Sequence, residues 1–108
     1  MLFKQSLISL AALPNLVLTP RRAFTVREGE NIIIRCKATG FPIPEITWFK
    51  GIKRLRKNLY NKEKGTLYIK GIKFSDRGLY RCTAHNFVGS AQFITKITVE
   101  GSKTYKLH

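Results

Sequence analysis

Short segments in which apolar and polar residues alternate, each followed by a turn signal, run through this chain and limit its possible folds. Asn31–Ala38 is the clearest, because its residues fall on two alternating faces, one with Ile32, Ile34, Cys36 and Ala38 and the other with Ile33, Arg35 and Lys37. This period of two is typical of a half-buried strand. Similar segments follow at Ile46–Phe49, Thr66–Lys70, Leu79–His85 and Ala91–Val99. Strand signals spaced about 8–12 residues apart, with no amphipathic helix between them, predict an all-β antiparallel sandwich or barrel.

The 108 residues correspond to one domain, for which we expect residues 14–100. Residues 1–13 carry one lysine before a short apolar run and are interpreted as a weak signal-peptide remnant or a linker. Residues 101–108 are interpreted as a tail or linker. No stretch approaches the ~18 consecutive apolar residues of a spanning helix, so membrane insertion of this chain is not expected.

Groups suited to catalysis are scarce, because the chain has six acidic residues and two histidines. The only arrangement that resembles a triad combines Ser75 or Ser90 with His85 and Asp76. The sequence has no nucleophile elbow, no phosphate-binding glycine loop and no HExxH motif. The scattered acids and histidines do not have the spacing of a metal shell. The sequence therefore predicts no enzyme activity, no metal site and no cofactor.

Cys36 and Cys82 are the only cysteines, and they are too far apart in sequence for a CxxC redox or zinc motif. Two interpretations are open at this point. The thiols could stay reduced and buried, or they could form one disulfide across a core, which requires an oxidising compartment. A bridge that closes a loop of this length would stabilise the fold by about 4 kcal/mol in the chain-entropy model.

Cys36 is followed after twelve residues by Trp48, and the second cysteine ends the motif Asp76-x-Gly78-x-Tyr80-x-Cys82. In these features the sequence resembles the immunoglobulin superfamily, and within it the intermediate set (I-set). The resemblance implies a two-sheet sandwich with an inter-sheet disulfide between Cys36 and Cys82 and with Trp48 packed against it. It also implies a tyrosine corner at Tyr80 that Gly78 helps to form, and an inward Leu67. In this family the residue at Asp76 pairs with a base, here Lys57, Lys62 or Lys64.

The same resemblance implies a non-enzymatic protein-recognition module. Tandem domains of this type occur in neural adhesion molecules, hemicentin-like matrix proteins and receptor ectodomains, which places such a module outside the cell. The implied partner is a protein, such as another immunoglobulin-like domain. That partner can be a second copy of the same protein, which is homophilic binding. The alternative is a cytoplasmic spacer domain of a titin-like muscle protein, in which the thiols stay reduced.

Charge distinguishes this chain, which has a formal net charge of +14. The stretch Lys50–Lys64 has seven bases and one acid, at the edge between the strands that the family letters C and C′. Such a density attracts polyanions, and outside the cell that indicates a sulfated glycosaminoglycan. The candidate polyanion-binding residues are Lys50, Lys53, Arg54, Arg56 and Lys57. The alternative is a solvated surface that protects a sheet edge. No specific nucleic-acid binding is expected, because no regularly spaced aromatic residues accompany the basic side chains.

A second candidate surface combines outward residues of three strands. The alternation predicts that Phe49, Arg81, His85 and Ile94 share one sheet face. Phe87 lies in the turn before the last strand and either contacts a partner or folds back on the core. We predict that these five residues form a protein-contact face. Ile33 and Tyr68 are expected to face outward from other strands.

Overall fold

The computed structural model describes residues 10–56, 59–60 and 65–101 of the chain. Within these residues the strands are Ala12–Leu18 (β1), Ala23–Arg27 (β2), Ile32–Arg35 (β3), Lys37–Phe41 (β4), Glu45–Lys50 (β5), Lys53–Arg54 (β6), Thr66–Ile69 (β7), Gly78–His85 (β8) and Ser90–Glu100 (β9). The 3₁₀ turn Phe74–Asp76 precedes β8. In the described ranges, no helix has the length and apolar character needed to cross a bilayer.

The strands form two layers. One layer is a five-stranded sheet with the order β2-β9-β8-β5-β6. The other contains the antiparallel pairs β1-β4 and β3-β7, which are continuous because only Cys36 separates β3 from β4. The first part of the chain contributes to both layers, since β1 pairs with β4 whereas β2 pairs with β9 in parallel. The predicted all-β immunoglobulin-like sandwich is confirmed.

The first strand is longer than expected. In the sequence, only the β-rich triplet Leu16–Leu18 before Pro20 predicts a strand here, and the expected domain begins at residue 14. In the structure β1 begins at Ala12, whose Cα partner is Phe41 in β4. Alternation does not reveal this start, because the pairing contains register shifts and is held by backbone hydrogen bonds. The interpretations of residues 1–9 as a signal remnant and of 102–108 as a tail lie outside the described residues.

The core lies between the two layers. It contains the predicted disulfide with Trp48 beside it, and we call these three residues the central pin. Cys36 and Cys82 are disulfide-bonded, with Cα atoms 6.5 Å apart. Trp48 is the register partner of Cys82 in the five-stranded sheet and is fully buried. Leu67 is also fully buried, from the opposite layer. The prediction that sulfur bridge and indole share the centre is confirmed, and so is the alternation that buries Ile32, Ile34 and Ala84.

The corner before β8 has the predicted form. The Tyr80 hydroxyl donates a hydrogen bond to the Asp76 carbonyl oxygen at 2.5 Å. Gly78 has φ of +146°, a conformation that favours glycine. The Asp76 carboxylate accepts the N–H of Lys73 at 2.7 Å and closes the 3₁₀ turn. The bases expected to pair with Asp76, namely Lys57, Lys62 and Lys64, lie outside the described residues, so that ion pair stays a prediction.

Candidate recognition surfaces

The outer face of the five-stranded sheet carries one continuous row of side chains from four strands. Arg81 in β8 is the register partner of Ile94 in β9 and of Phe49 in β5. Phe49 in turn lies opposite Arg54 in β6. Directly opposed residues point to the same face of a sheet. We call Ile94, Arg81, Phe49 and Arg54 the cross-strand row. It brings together three of the five residues predicted as a contact face and adds Arg54.

Arg81 is stacked on its neighbour in this row. Its guanidinium carbon lies 4.3 Å from the centroid of the Phe49 ring, within the range of a cation–π contact. Its Nε is buried and has no hydrogen-bond partner within the described part of the chain. The stack holds a planar group with several N–H donors against an aromatic ring. Such a group matches a carboxylate geometrically.

His85 and Phe87, the other two predicted contact residues, lie away from the row. His85 is four residues from Arg81 on the same strand face, about 13 Å along β8. Its Nε2 is 3.9 Å from Oε1 of Glu45, an exposed pair that contributes little to stability. Phe87 is 79% exposed at the β8–β9 turn and does not fold back on the core.

Asn86 holds that turn in place. Its side-chain amide donates to the carbonyl oxygens of Ala12 at 2.9 Å and Pro42 at 3.0 Å. Its Oδ1 accepts the N–H groups of Val88 and Gly89. One side chain therefore connects three segments, and the turn presents Phe87 on a tethered loop.

The basic segment does not form one surface. Lys50 follows the inward side of β5, and its Nζ donates to the Ser75 carbonyl oxygen. The same ammonium lies 5.9 Å from the Tyr80 ring centroid. Lys53 is the register partner of Lys50, and both lysines line a cavity beside the β5–β6 edge, which is described below. Arg54, the next residue, belongs to the cross-strand row.

The remaining predicted polyanion-binding residues are less defined. Arg56 is exposed beyond β6. Lys57 lies outside the described residues. The predicted polyanion-binding set is therefore divided between a cavity and a sheet face, because residues adjacent in a strand point in opposite directions.

The cavity has a volume of about 710 Å³ and lies between the β5–β6 edge and the connection from β7 to β8. Two further lysines, Lys70 and Lys73, line it from that connection. Nothing in the sequence singles them out, because they are about twenty residues from Lys50 and only the fold brings them close. Its apolar wall includes Leu55, Leu67 and Ile69.

The opposite layer has an outward apolar pair of comparable size. Ile33 in β3 and Tyr68 in β7 are register partners and are 47% and 52% exposed. Both face outward, as the alternation predicted. For comparison, Ile94 in the cross-strand row is 49% exposed. The Ile33–Tyr68 pair has no stacked arginine between its members, which makes it a natural reference surface. Within the described ranges, no three histidine, cysteine or acidic side chains come together as a metal site.

The fold and its disulfide pin define an immunoglobulin-type domain. The family model described as "Immunoglobulin domain" matches residues 14–86, and the chain belongs to this family. The mouse "Neural cell adhesion molecule L1-like protein" is 39% identical in an alignment of 101 positions that covers 86% of this chain and 8% of that protein. The chicken "Myosin light chain kinase, smooth muscle" is 35% identical in an alignment of 100 positions that covers 88% of this chain and 5% of that protein. The chain thus spans a small part of the length of these relatives.

Among solved structures, the chain is similar to the structure of the insect immune protein hemolin, which is described as having implications for homophilic adhesion. The TM-score is 0.73 and the identity 32%, over 83% of this chain and 23% of that one. The relatives therefore include proteins named for adhesion as well as a muscle kinase.

Proposed function

We propose that this chain is a non-enzymatic, extracellular protein-recognition domain that binds its partner through the cross-strand row. The observation that carries the proposal is the stack of Arg81 on Phe49 at 4.3 Å, with the half-exposed Ile94 on one side and Arg54 on the other. Aromatic and arginine side chains that are held rigidly are the residues that most often dominate binding energy at protein interfaces.

The extracellular location is supported by the Cys36–Cys82 disulfide, which is expected to persist in an oxidising compartment. Similarity to adhesion proteins supports it as well. The alternative is a spacer domain in an intracellular muscle protein, in line with the similarity to myosin light chain kinase. Intact mass before and after thiol alkylation of protein from its native compartment separates the two, because two alkylated thiols would refute the extracellular proposal.

Charge favours a heterophilic partner. The chain carries a net +14, and the row itself contributes two arginines and no acid. Two copies that met through this row would bring like charges together, which costs several kcal/mol where the charges are desolvated. An acidic surface with an apolar centre, such as one on a second immunoglobulin-like domain, would pair with both arginines. Homophilic binding through the row is thus the less favoured form of protein recognition.

The test is binding of a tetramerised form of the chain to a panel of cell-displayed immunoglobulin-type ectodomains. The row variant is Phe49→Ser with Ile94→Ser, and the matched control is Ile33→Ser with Tyr68→Ser on the opposite layer. We expect one or more acidic ectodomains to bind the wild type and the control but not the row variant. Equal loss in both double variants, or binding that the row variant retains, would refute the assignment of the face. In sedimentation experiments we expect the free chain to be a monomer. Self-association would refute the heterophilic form of the proposal.

A second candidate function is binding of a sulfated glycosaminoglycan. The specific observation in its favour is the convergence of four lysines on one cavity. This function is compatible with protein recognition, because the cavity and the cross-strand row use different side chains.

A further inference from the structure

The cavity between the β5–β6 edge and the β7–β8 connection has an uneven charge balance. Its lining includes four lysines, Lys50, Lys53, Lys70 and Lys73, which we call the lysine cavity, and one acid, Asp76. Four positive charges against one negative charge leave a local excess of +3. The Asp76 carboxylate already accepts the backbone N–H of Lys73. An anion from outside would therefore relieve repulsion among the ammonium groups.

The lysines come from two rigidly placed segments. Lys50 and Lys53 are register partners across the β5–β6 pair. Lys50 is held further by the Ser75 carbonyl oxygen, in the 3₁₀ turn that follows Lys73. Backbone hydrogen bonds attach the β7–β8 connection to the turn between β2 and β3, since the N–H of Ile72 donates to the Glu30 carbonyl oxygen and the Ile72 carbonyl oxygen accepts the N–H of Gly29. The four lysines are therefore carried by segments whose backbone is held by hydrogen bonds.

We propose that the lysine cavity binds the sulfate groups of a sulfated glycosaminoglycan, and that Lys70 and Lys73 are part of this site. The inference rests on the second candidate function. It places the glycosaminoglycan site in the lysine cavity and leaves out Arg54, which the fold places on the outer sheet face. Lysine is a compact point charge with freely rotating donors, which suits the tetrahedral sulfate group. A volume of about 710 Å³ accommodates a sulfated sugar unit beside the apolar wall. Arg56, exposed next to β6, could extend the contact along a longer chain.

The experiment is calorimetric titration of the full 108-residue chain with a size-defined heparin hexasaccharide. The site variant is Lys70→Ser with Lys73→Ser. The control, Lys37→Ser with Lys96→Ser, removes the same charge from exposed strand positions that do not line the cavity. We expect the site variant to bind about tenfold more weakly or worse, since two charge-assisted contacts are lost. The control should lose less than about threefold, the effect of net charge alone at physiological salt.

Equal losses in the two variants would overturn the proposal, because they would show that only total charge matters. Unchanged affinity of the site variant would overturn it too. Inorganic sulfate and a desulfated hexasaccharide are the two comparison ligands, and saturation by the desulfated sugar would contradict recognition of sulfate. Saturation by inorganic sulfate at low millimolar concentration would show that a free anion, not the glycan, is the ligand.

Folding and independence are checked on the same samples. Both double variants should keep the near-ultraviolet circular dichroism of the buried Trp48. As a measurement that needs no variant, amide chemical shifts of Lys70, Gly71 and Lys73 should move on addition of the hexasaccharide, and those of Ile33 and Ile94, which do not line the cavity, should not. The site variant should still bind the protein partners found with the ectodomain panel, so failure of the lysine cavity and failure of the cross-strand row are distinguishable.

Discussion

The indole Nε1 of Trp48 donates a hydrogen bond to the carbonyl oxygen of Gly65 at 3.2 Å inside the core. The same carbonyl accepts the N–H of Cys36 at 3.1 Å. Gly65 therefore satisfies polar groups of two residues of the central pin. A buried donor without a partner would cost about 1–3 kcal/mol, so this backbone contact makes it possible to bury the indole completely.

Gly65 should not tolerate a side chain. Its φ is +68°, and a Cβ built there would lie 1.8 Å from the Cys36 carbonyl oxygen. We expect Gly65→Ala to lower the free energy of unfolding by about 3 kcal/mol or more, because strain and a backbone clash act together. Gly51→Ala is the matched control, since Gly51 also has positive φ but its added Cβ meets no atom within 4 Å. Urea denaturation should give a loss of about 1 kcal/mol for the control. Similar losses for both variants would contradict the clash.

Trp48 should dominate the stability of the core. It is fully buried beside the disulfide, so Trp48→Ala removes a large apolar group and leaves a cavity. We expect a loss of about 3–5 kcal/mol in chemical denaturation monitored by circular dichroism. A loss below about 1 kcal/mol would contradict its central position. Phe93→Ala, on the partly buried inward side of β9, is expected to cost less.

Stability should fall at high pH through Tyr80. Burial, and next the negative charge of Asp76, raise the pKa of Tyr80 from 10.0 to about 12. The folded state therefore keeps a proton that the unfolded state releases between these values, and stability decreases as the pH rises from 10 to 12. Below pH 10 both states are protonated and this contribution is constant.

The measurement is the unfolding free energy of wild type and Tyr80→Phe at pH 9, 10, 11 and 12. Lysines titrate in the same range, so the comparison between the two proteins isolates the tyrosine. The difference in stability between them should change across this interval and stay constant below it. Parallel curves throughout would contradict the raised pKa of Tyr80.

Much of this fold was predictable from residue spacing. The alternation of Ile32, Ile34 and Cys36 predicted which face of β3 is buried, because every second side chain of a strand points the same way. The spacing of Cys36, Trp48 and Cys82 led to the pin through its resemblance to the family. Phe49, Arg81 and Ile94 were placed on one face by the same parity argument.

The sequence did not reveal features that depend on long-range register or on backbone contacts. Gly65 lies in a polar stretch, and nothing local indicates that its carbonyl meets Trp48. Lys70 and Lys73 approach Lys50 only because β7 and β5 lie in different layers that end at the same side. The β1 start at Ala12 depends on pairing with Phe41, which no local pattern encodes.

The most direct test of recognition through the cross-strand row is the affinity of Arg81→Lys for an acidic ectodomain identified with the panel. The substitution keeps the charge but removes the planar group stacked on Phe49. Arg35→Lys is the control, because Arg35 is exposed on β3 in the opposite layer. Surface plasmon resonance should show binding at least about tenfold weaker for Arg81→Lys and unchanged for Arg35→Lys. Wild-type affinity of Arg81→Lys would contradict the claim that this row forms the recognition face.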